Sequence, residues 1–219
     1  MHVVVNAATS ADGKLSSRHR EQIAISGEAD FARVDRLRAE SDAVCVGVGT
    51  VVADDPSLVR YDERHRESVR GTDAAPPARV VVDSRCRTPT ASAVLEGPRN
   101  TYVLAAESAD EQRRKALRDT GATVLVAGNR RVDLPTAFEE LASRGIDRLL
   151  VEGGGELIFS LFETDLVDEM MVYVGNTIFG GRDAPTLADG DGFVDDFPEL
   201  QLVSVDRIDS GVVLAWTVV

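Results

Sequence analysis

The sequence predicts an α/β fold, with a mostly parallel central sheet, helices on both faces and a C-terminal antiparallel hairpin. Three observations support this. Short Val- and Leu-rich runs alternate with segments of helical spacing along most of the chain. The first strand candidates are apolar on both faces, which is typical of buried parallel strands. The last two runs, 200–205 and 211–219, are joined by Asp-Ser-Gly, a hairpin signal. We find no compositional break, so a single domain over residues 1–219 is expected.

The N-terminal half contains three predicted strands. Residues 2–8 are apolar on both faces and form the first. Ser26 is the expected N-cap of a helix that ends near Glu40, with acidic residues in its first turn. A buried strand at 43–48 turns into a short helix that stops near Pro56. Residues 60–78 are polar and charged, so we interpret them as a surface excursion before the strand at 79–83.

The C-terminal half continues the alternation. Strands at 101–105 and 123–126 flank an amphipathic helix at 108–120, for which Gly121 is a suitable C′ residue. A helix at 135–144 precedes a strand at 147–152, and a helix at 156–162 follows that strand. A strand at 169–174 and an acidic, Gly-rich loop at 183–198 lead into the hairpin.

The charge composition limits the possible partners. The net charge is −13, and of 24 Lys and Arg residues only Lys14 and Lys115 are lysines. An acidic surface repels nucleic acid, so no nucleic-acid partner is expected. Either a halophilic source or an acidic protein from a GC-rich genome accounts for this composition. No apolar run reaches the roughly 18 residues that span a membrane, and no signal segment precedes the first strand. These features predict a cytoplasmic protein without a membrane partner.

The cysteines predict no metal centre. Cys45 lies in an apolar strand and is expected to be a buried hydrophobe, while Cys86 lies between Arg85 and Arg87, which could lower its thiol pKa. No CxxC motif or Cys/His cluster is present, so a zinc site or a disulfide framework is not expected.

The stretch Leu-Leu-Val-Glu-Gly-Gly-Gly-Glu-Leu at 149–157 predicts a strand, a tight turn and a helix N-terminus. The glycines let a ligand approach the backbone, and the free N–H groups of a helix start favour an anion. Glu152 ends the strand, where open α/β sheets bind their ligands. A tight turn without a ligand would have the same sequence.

Two further strand ends carry polar residues. Thr50 and Asp54 follow the strand at 43–48, and Ser84 follows the strand at 79–83. If the strands are parallel, these ends meet Glu152 at one edge of the sheet. Each residue also has a structural interpretation, since Thr50 can cap a helix, Asp54 can pair with an arginine and Ser84 can close a turn. The nearby arginines favour an anionic ligand; they are Arg38, Arg60, Arg85 and Arg87.

Several short motifs occur in a fixed order. They are Ser10-Ala11-Asp12-Gly13-Lys14, Gly49-Thr50-Val51-Val52-Ala53-Asp54-Asp55-Pro56, Val82-Asp83-Ser84 and Val151-Glu152-Gly153-Gly154. In this combination the chain resembles the reductase family of riboflavin biosynthesis, which has a dihydrofolate-reductase-like fold. The resemblance implies that NADPH reduces the ribosylamino group of a pyrimidinone 5′-phosphate to ribitylamino. It also implies a homodimer, which pairing of exposed hairpin edges would explain.

The resemblance also implies roles for individual residues. The implied cofactor ligands are Thr50, Asp54, Ser84 and, near the adenosine, Val126, with Gly153, Gly154 and Gly155 at the pyrophosphate. The implied substrate ligands are Arg38, Leu58, Arg60 and Glu152, with the arginines on the 5′-phosphate. Asp54 and Glu152 are the candidates for proton transfer, although both could serve only to bind. Two other functions stay open, a pterin or dihydrofolate-type reductase and a non-catalytic nucleotide-binding domain.

Overall fold

The computed structural model describes residues 1–21 and 23–219, and within these residues nine strands form one sheet. The strands are β1 (His2–Thr9), β2 (Ala43–Gly47), β3 (Ala78–Val82), β4 (Thr101–Ala105), β5 (Thr123–Val126), β6 (Arg148–Val151), β7 (Glu169–Val174), β8 (Leu200–Ile208) and β9 (Gly211–Val218). The helices are α1 (Glu28–Glu40), α2 (Val48–Asp54), α3 (Glu63–Arg70), α4 (Glu111–Asp119), α5 (Leu134–Ala142) and α6 (Gly155–Glu163).

The strand order is β5-β4-β3-β2-β6-β1-β7-β9-β8. Strands β1 to β7 are mutually parallel, whereas β9 pairs antiparallel with both β7 and β8. The predicted fold class, with its C-terminal antiparallel hairpin, is therefore confirmed. Because β2, β3 and β6 are neighbours, the loops that follow them emerge side by side at one edge of the sheet.

Helices cover both faces of the sheet, as alternate residues of one strand demonstrate. Val3 and Val5 of β1 belong to a core cluster with residues of α5 and α6. Val4, between them, packs with Leu37 of α1 on the opposite face. This alternation follows from the period of two along a β-strand. Of the helices in the described residues, none combines the length and apolar character that a membrane span needs.

Helix α1 is capped from a distant part of the chain. It begins after Gly27 without a local side-chain cap, so the predicted Ser26 cap is wrong. The carboxylate of Asp209, in the turn between β8 and β9, accepts hydrogen bonds from the N–H groups of Ala29 (3.3 Å) and Asp30 (3.0 Å). A carboxylate at a helix N-terminus satisfies free N–H groups and complements the helix dipole. Local sequence could not reveal a cap from 180 residues away.

The polar segment after Arg60 contains helix α3, which the sequence interpretation missed. Asp62 caps this helix by accepting a hydrogen bond from the His65 N–H at 3.0 Å. Its buried residue is Arg66, whose guanidinium donates to the carbonyls of Ala39, Ser41 and Ala75. The apolar periodicity that normally identifies a helix is absent, because an arginine fills the position that faces the protein.

Candidate active site

The turns that follow β2 and β6 contact each other at the carboxyl edge of the sheet. The Gly47 N–H donates to the Gly153 carbonyl at 2.8 Å. Thr50 Oγ1 lies 3.3 Å from the position that a Cβ on Gly154 would occupy. Gly153 has a φ of +119°, a conformation that favours glycine, and its peptide bond to Gly154 is cis. Two of the three polar strand ends in the sequence therefore lie together.

The three glycines of the 153–155 turn face different surroundings. A Cβ added to Gly153 would meet no heavy atom within 4 Å, and the same holds for Gly49 in α2. A Cβ on Gly155 would instead lie 2.3 Å from the Thr186 carbonyl oxygen. The Asp189 N–H also donates to the Gly155 carbonyl at 3.1 Å. Gly153 and Gly49 thus border open space, whereas Gly155 allows the acidic loop to pack against α6.

Arg38 and Glu152 form a bidentate ion pair. Arg38 Nε donates to Glu152 Oε1 at 2.6 Å, and Nη2 donates to Oε2 at 2.7 Å. Their side chains are only 18% and 11% exposed. Burial acts to lower the pKa of Arg38, but Glu152 and Asp35 more than offset it, so the pKa lies above its ordinary value. Both Glu152 oxygens already accept hydrogen bonds, which favours a binding or orienting role over proton donation.

Arg60 is held more loosely than Arg38. Its Nε donates to Asp35 at 2.6 Å, and its side chain is 72% exposed. Its carbonyl accepts a hydrogen bond from Arg38 Nη1 at 3.1 Å. An exposed ion pair contributes only about 0–1 kcal/mol, so Arg60 can exchange Asp35 for another anion at little cost. Sequence reasoning missed Asp35, although its position three residues before Arg38 on one helix was an available signal.

Asp54 differs from the carboxylates around it. It is the last residue of α2, is half-buried, and has burial as the sole cause of a raised pKa. Its neighbour Asp55 instead accepts a hydrogen bond from the Ala93 N–H at 2.8 Å. Thr50 lies inside α2, whose N-cap is Gly47, so the capping interpretation of Thr50 does not hold. Among the described groups, Asp54 is the carboxyl here whose environment favours the protonated form.

The strand end after β3 is organised by side-chain hydrogen bonds. Ser84 Oγ accepts from the Val132 N–H at 3.0 Å, which ties the loop after β5 to β3. The buried carboxylate of Asp83 accepts from the N–H and the hydroxyl of Thr88, both at 2.7 Å. Val126 ends β5 and is exposed at this same edge of the sheet.

Burial determines the environment of two residues near this edge. Burial, assisted by Asp83, raises the pKa of Cys86 to about 11, so the expected lowering by flanking arginines is wrong. Leu58 is only 6% exposed and packs with Val46 and Val51 in a core cluster. Its side chain is directed into the protein, so only its backbone remains available to a substrate.

An open, mainly parallel sheet with glycine turns and carboxylates at its carboxyl edge defines an α/β protein that binds a ligand beyond its strand ends. The RibD C-terminal domain model matches residues 1–214. The chain therefore belongs to the RibD C-terminal domain family, which agrees with the motifs in the sequence.

Two relatives are named 2,5-diamino-6-ribosylamino-4(3H)-pyrimidinone 5′-phosphate reductase. The Archaeoglobus fulgidus protein is 44% identical over 211 residues, covering 96% of this chain and 94% of that protein. The Methanothermobacter thermautotrophicus protein is 46% identical over 194 residues, covering 87% and 85%.

Solved structures are similar over the whole chain. Acinetobacter baumannii RibD has a TM-score of 0.80 at 27% identity, and the match covers 100% of this chain and 58% of that one. The Saccharomyces riboflavin biosynthesis reductase Rib7 has a TM-score of 0.73 at 20% identity, covering 100% and 90%, and supports the fold alone. The predicted dihydrofolate-reductase-like fold is confirmed.

Proposed function

We propose that this protein reduces the ribosylamino group of 2,5-diamino-6-ribosylamino-4(3H)-pyrimidinone 5′-phosphate to a ribitylamino group, with NADPH as the cofactor. Two relatives that carry this name align over most of both proteins. The structural observation that carries the proposal is the Arg38–Glu152 pair, held beside two contacting glycine turns. The pair offers oriented polar groups that can bind a sugar, and the turns expose backbone that can bind a dinucleotide.

The carboxyl edge suits a nicotinamide dinucleotide. Gly49 and Gly153 border open space, so a pyrophosphate could approach the backbone without meeting a side chain. Helix α6 begins after Gly154 without a side-chain cap, which leaves its first N–H groups free of such a partner. We expect Thr50 to contribute its hydroxyl. The bound cofactor would supply the hydride that the substrate accepts at C1′.

The polar residues divide the remaining work. Arg38 holds both oxygens of Glu152, so Glu152 is oriented to accept hydrogen bonds from substrate hydroxyl or amino groups. Arg60, which is exposed and paired only with Asp35, exchanges that partner for the 5′-phosphate of the substrate. Asp54 retains a proton to higher pH than an ordinary aspartate and donates it to the sugar ring oxygen as the ring opens.

Preference for NADPH over NADH requires a cation at the 2′-phosphate. Arg85, Arg130 and Arg131 are exposed near the ends of β3 and β5, and in the described part of the chain none forms an ion pair. The Ser84–Val132 hydrogen bond brings their two loops together. The loop after β5 is also tied to the loop after β4, because the Glu107 N–H donates to the Gly128 carbonyl at 2.9 Å. We assign 2′-phosphate recognition to this arginine group.

A homodimer accounts for the outer hairpin. Strand β8 lies at the sheet edge and exposes Leu202, Val203 and Val205. Unpaired edge N–H and C=O groups beside apolar side chains favour pairing with a second copy of the same strand. We expect Val203→Lys to shift the protein from dimer to monomer in light scattering, whereas an unchanged mass would contradict the assignment.

The test follows the absorbance of the reduced cofactor with purified protein. We expect oxidation with NADPH and the ribosylaminopyrimidinone phosphate, weaker activity with the dephosphorylated compound, and none with dihydrofolate. Activity with dihydrofolate alone would overturn the proposal. Cofactor preference is tested separately by measuring Kd for NADP and NAD in the absence of substrate. Replacing Arg130 and Arg131 with Met should weaken NADP binding and leave NAD binding unchanged.

A further inference from the structure

Three arginines gather at the amino ends of β2, β3 and β4, away from the candidate active site. Arg79 is in β3, Arg66 is in α3, and Arg99 precedes β4. The guanidinium carbons of Arg99 and Arg66 lie 5.1 Å and 5.9 Å from the ring centre of Tyr61. We call these three arginines and Tyr61 the arginine cluster.

The cluster lacks the carboxylates that pair with other part-buried arginines of this acidic protein, such as Arg38 and Arg114. Arg79 is fully buried and donates to the carbonyls of Glu96 (2.8 Å) and Arg99 (3.2 Å). Arg66 donates only to carbonyls of Ala39, Ser41 and Ala75. The charge of Asp42 acts to raise the pKa of Arg66, but Asp42 is itself paired with Arg70. Within residues 1–21 and 23–219, no member of the cluster has a carboxylate at ion-pair distance.

Two donors of the cluster remain without a partner. Arg79 Nε and Arg99 Nη1 are buried nitrogen atoms, and neither forms a hydrogen bond with the residues described. Buried polar groups in folded proteins are nearly always paired, and a buried positive charge requires compensation. Burial lowers the pKa of Arg79, and the charge of Arg99 lowers it further. These observations indicate that a negatively charged partner belongs here.

The burial of these arginines limits the size of that partner. Arg79 is fully buried and Arg66 nearly so, which disfavours a large oxyanion between them. Arg99 is only half-buried and provides a route from solvent. We propose that a halide ion, chloride under natural conditions, binds to Arg79 Nε and Arg99 Nη1 and neutralises the arginine cluster. Because the cluster anchors α3 and Tyr61, the residue after Arg60, halide binding would stabilise this part of the chain.

The test measures thermal unfolding of the full chain at constant ionic strength while potassium chloride replaces potassium gluconate. Gluconate is too large for the site, and constant ionic strength keeps screening of the acidic surface equal. A ligand that binds only the folded state should raise Tm by about 4 °C for each tenfold increase in chloride above its Kd. Arg99→Met should abolish this dependence. Arg64→Met, at an exposed position on α3, should retain it.

A crystallographic measurement keeps the proposal falsifiable if Arg99→Met does not fold. Crystals of the wild-type protein in potassium bromide should show an anomalous peak within contact distance of Arg79 Nε and Arg99 Nη1. A water molecule at that position, or equal Tm values in chloride and gluconate, would overturn the proposal. Neither measurement depends on the reductase reaction, so the outcome is independent of the proposed function.

Discussion

Arginines serve different purposes at the two ends of the sheet. In the candidate active site at the carboxyl end, Arg38 pairs with Glu152 and Arg60 pairs with Asp35, so both of these arginines face a carboxylate. At the amino end, Arg66 and Arg79 donate to main-chain carbonyls. Side-chain partners can be exchanged for a ligand, whereas carbonyl partners connect segments of the backbone. The first arrangement suits recognition and the second suits stability, and mutations can separate the two.

Asp54→Asn should produce the largest effect, on catalysis and not on stability. Loss of a general acid typically costs about 10²- to 10⁴-fold in rate. Because burial raises the Asp54 pKa, ionisation of Asp54 is less favourable in the folded protein than in the unfolded chain, and at pH values where it is charged it lowers the stability of the fold. The uncharged variant should therefore unfold at the same urea concentration as the wild type, or a higher one, at neutral pH. Steady-state kinetics and urea unfolding together test this separation.

The pH dependence of the rate tests whether Asp54 donates a proton. With the protonated form active, the wild-type rate should fall as pH rises through the raised Asp54 pKa. The residual rate of Asp54→Asn should lack that alkaline limb. Near-normal turnover in the variant would assign Asp54 a binding role only.

Arg79→Met should produce the opposite pattern at the amino end. The substitution leaves carbonyls of Glu96 and Arg99 without their donor. Both hydrogen bonds are only part-buried, so we expect a loss of about 1–3 kcal/mol in the free energy of unfolding, the typical cost of leaving such acceptors without a donor. Urea unfolding measures this loss, with Arg64→Met as a control that should lie within about 0.5 kcal/mol of the wild type. A similarly small change for Arg79→Met would remove the contrast between the two ends.

Glu152→Gln tests whether the buried pair orients the substrate. The substitution removes the bidentate carboxylate of Arg38, whose side chain is only 18% exposed, and leaves Asp35 at 3.8 Å as its acidic neighbour. We expect kcat/KM to fall by about tenfold to a hundredfold, equivalent to roughly 1.4–2.8 kcal/mol. The loss should lie mainly in KM, because the remaining amide cannot hold Arg38 in a bidentate fork. A loss confined to kcat would instead support proton transfer by Glu152.

Asp209→Asn should have the smallest effect. The substitution keeps one of the two hydrogen-bond acceptors at the N-terminus of α1 and removes the charge that complements the helix dipole. A loss of about 0.3–1 kcal/mol is expected, visible as a small decrease in Tm. Asp206→Asn, on the adjacent strand and exposed, provides a control that should not change Tm. Equal shifts in both variants would argue against the distant cap.

Local patterns predicted the strands better than the features that connect them. The apolar runs identified all nine strands, because a short apolar run bounded by turn residues is a local property of the sequence. Helix α3 was missed because its buried residue is Arg66. Leu58 follows the motif of the family resemblance, but its burial depends on packing against Val46 of β2 and Val81 of β3, which the motif does not show. The Cys86 thiol likewise responds to burial in the fold and not to its flanking arginines.

The candidate site divides in the same way. The sequence by itself determined that Thr50, Asp54, Ser84 and Glu152 end or follow strands, since residue type and spacing are local properties. Only the tertiary structure decided that Arg38 forms a bidentate ion pair with Glu152 and that Arg60 forms an exposed one with Asp35. It also decided that Asp54 is half-buried and has no ionic partner among the residues described. Charge pairing and desolvation depend on distances between segments. Those distances exist only once the strands have assembled in the order of the folded sheet.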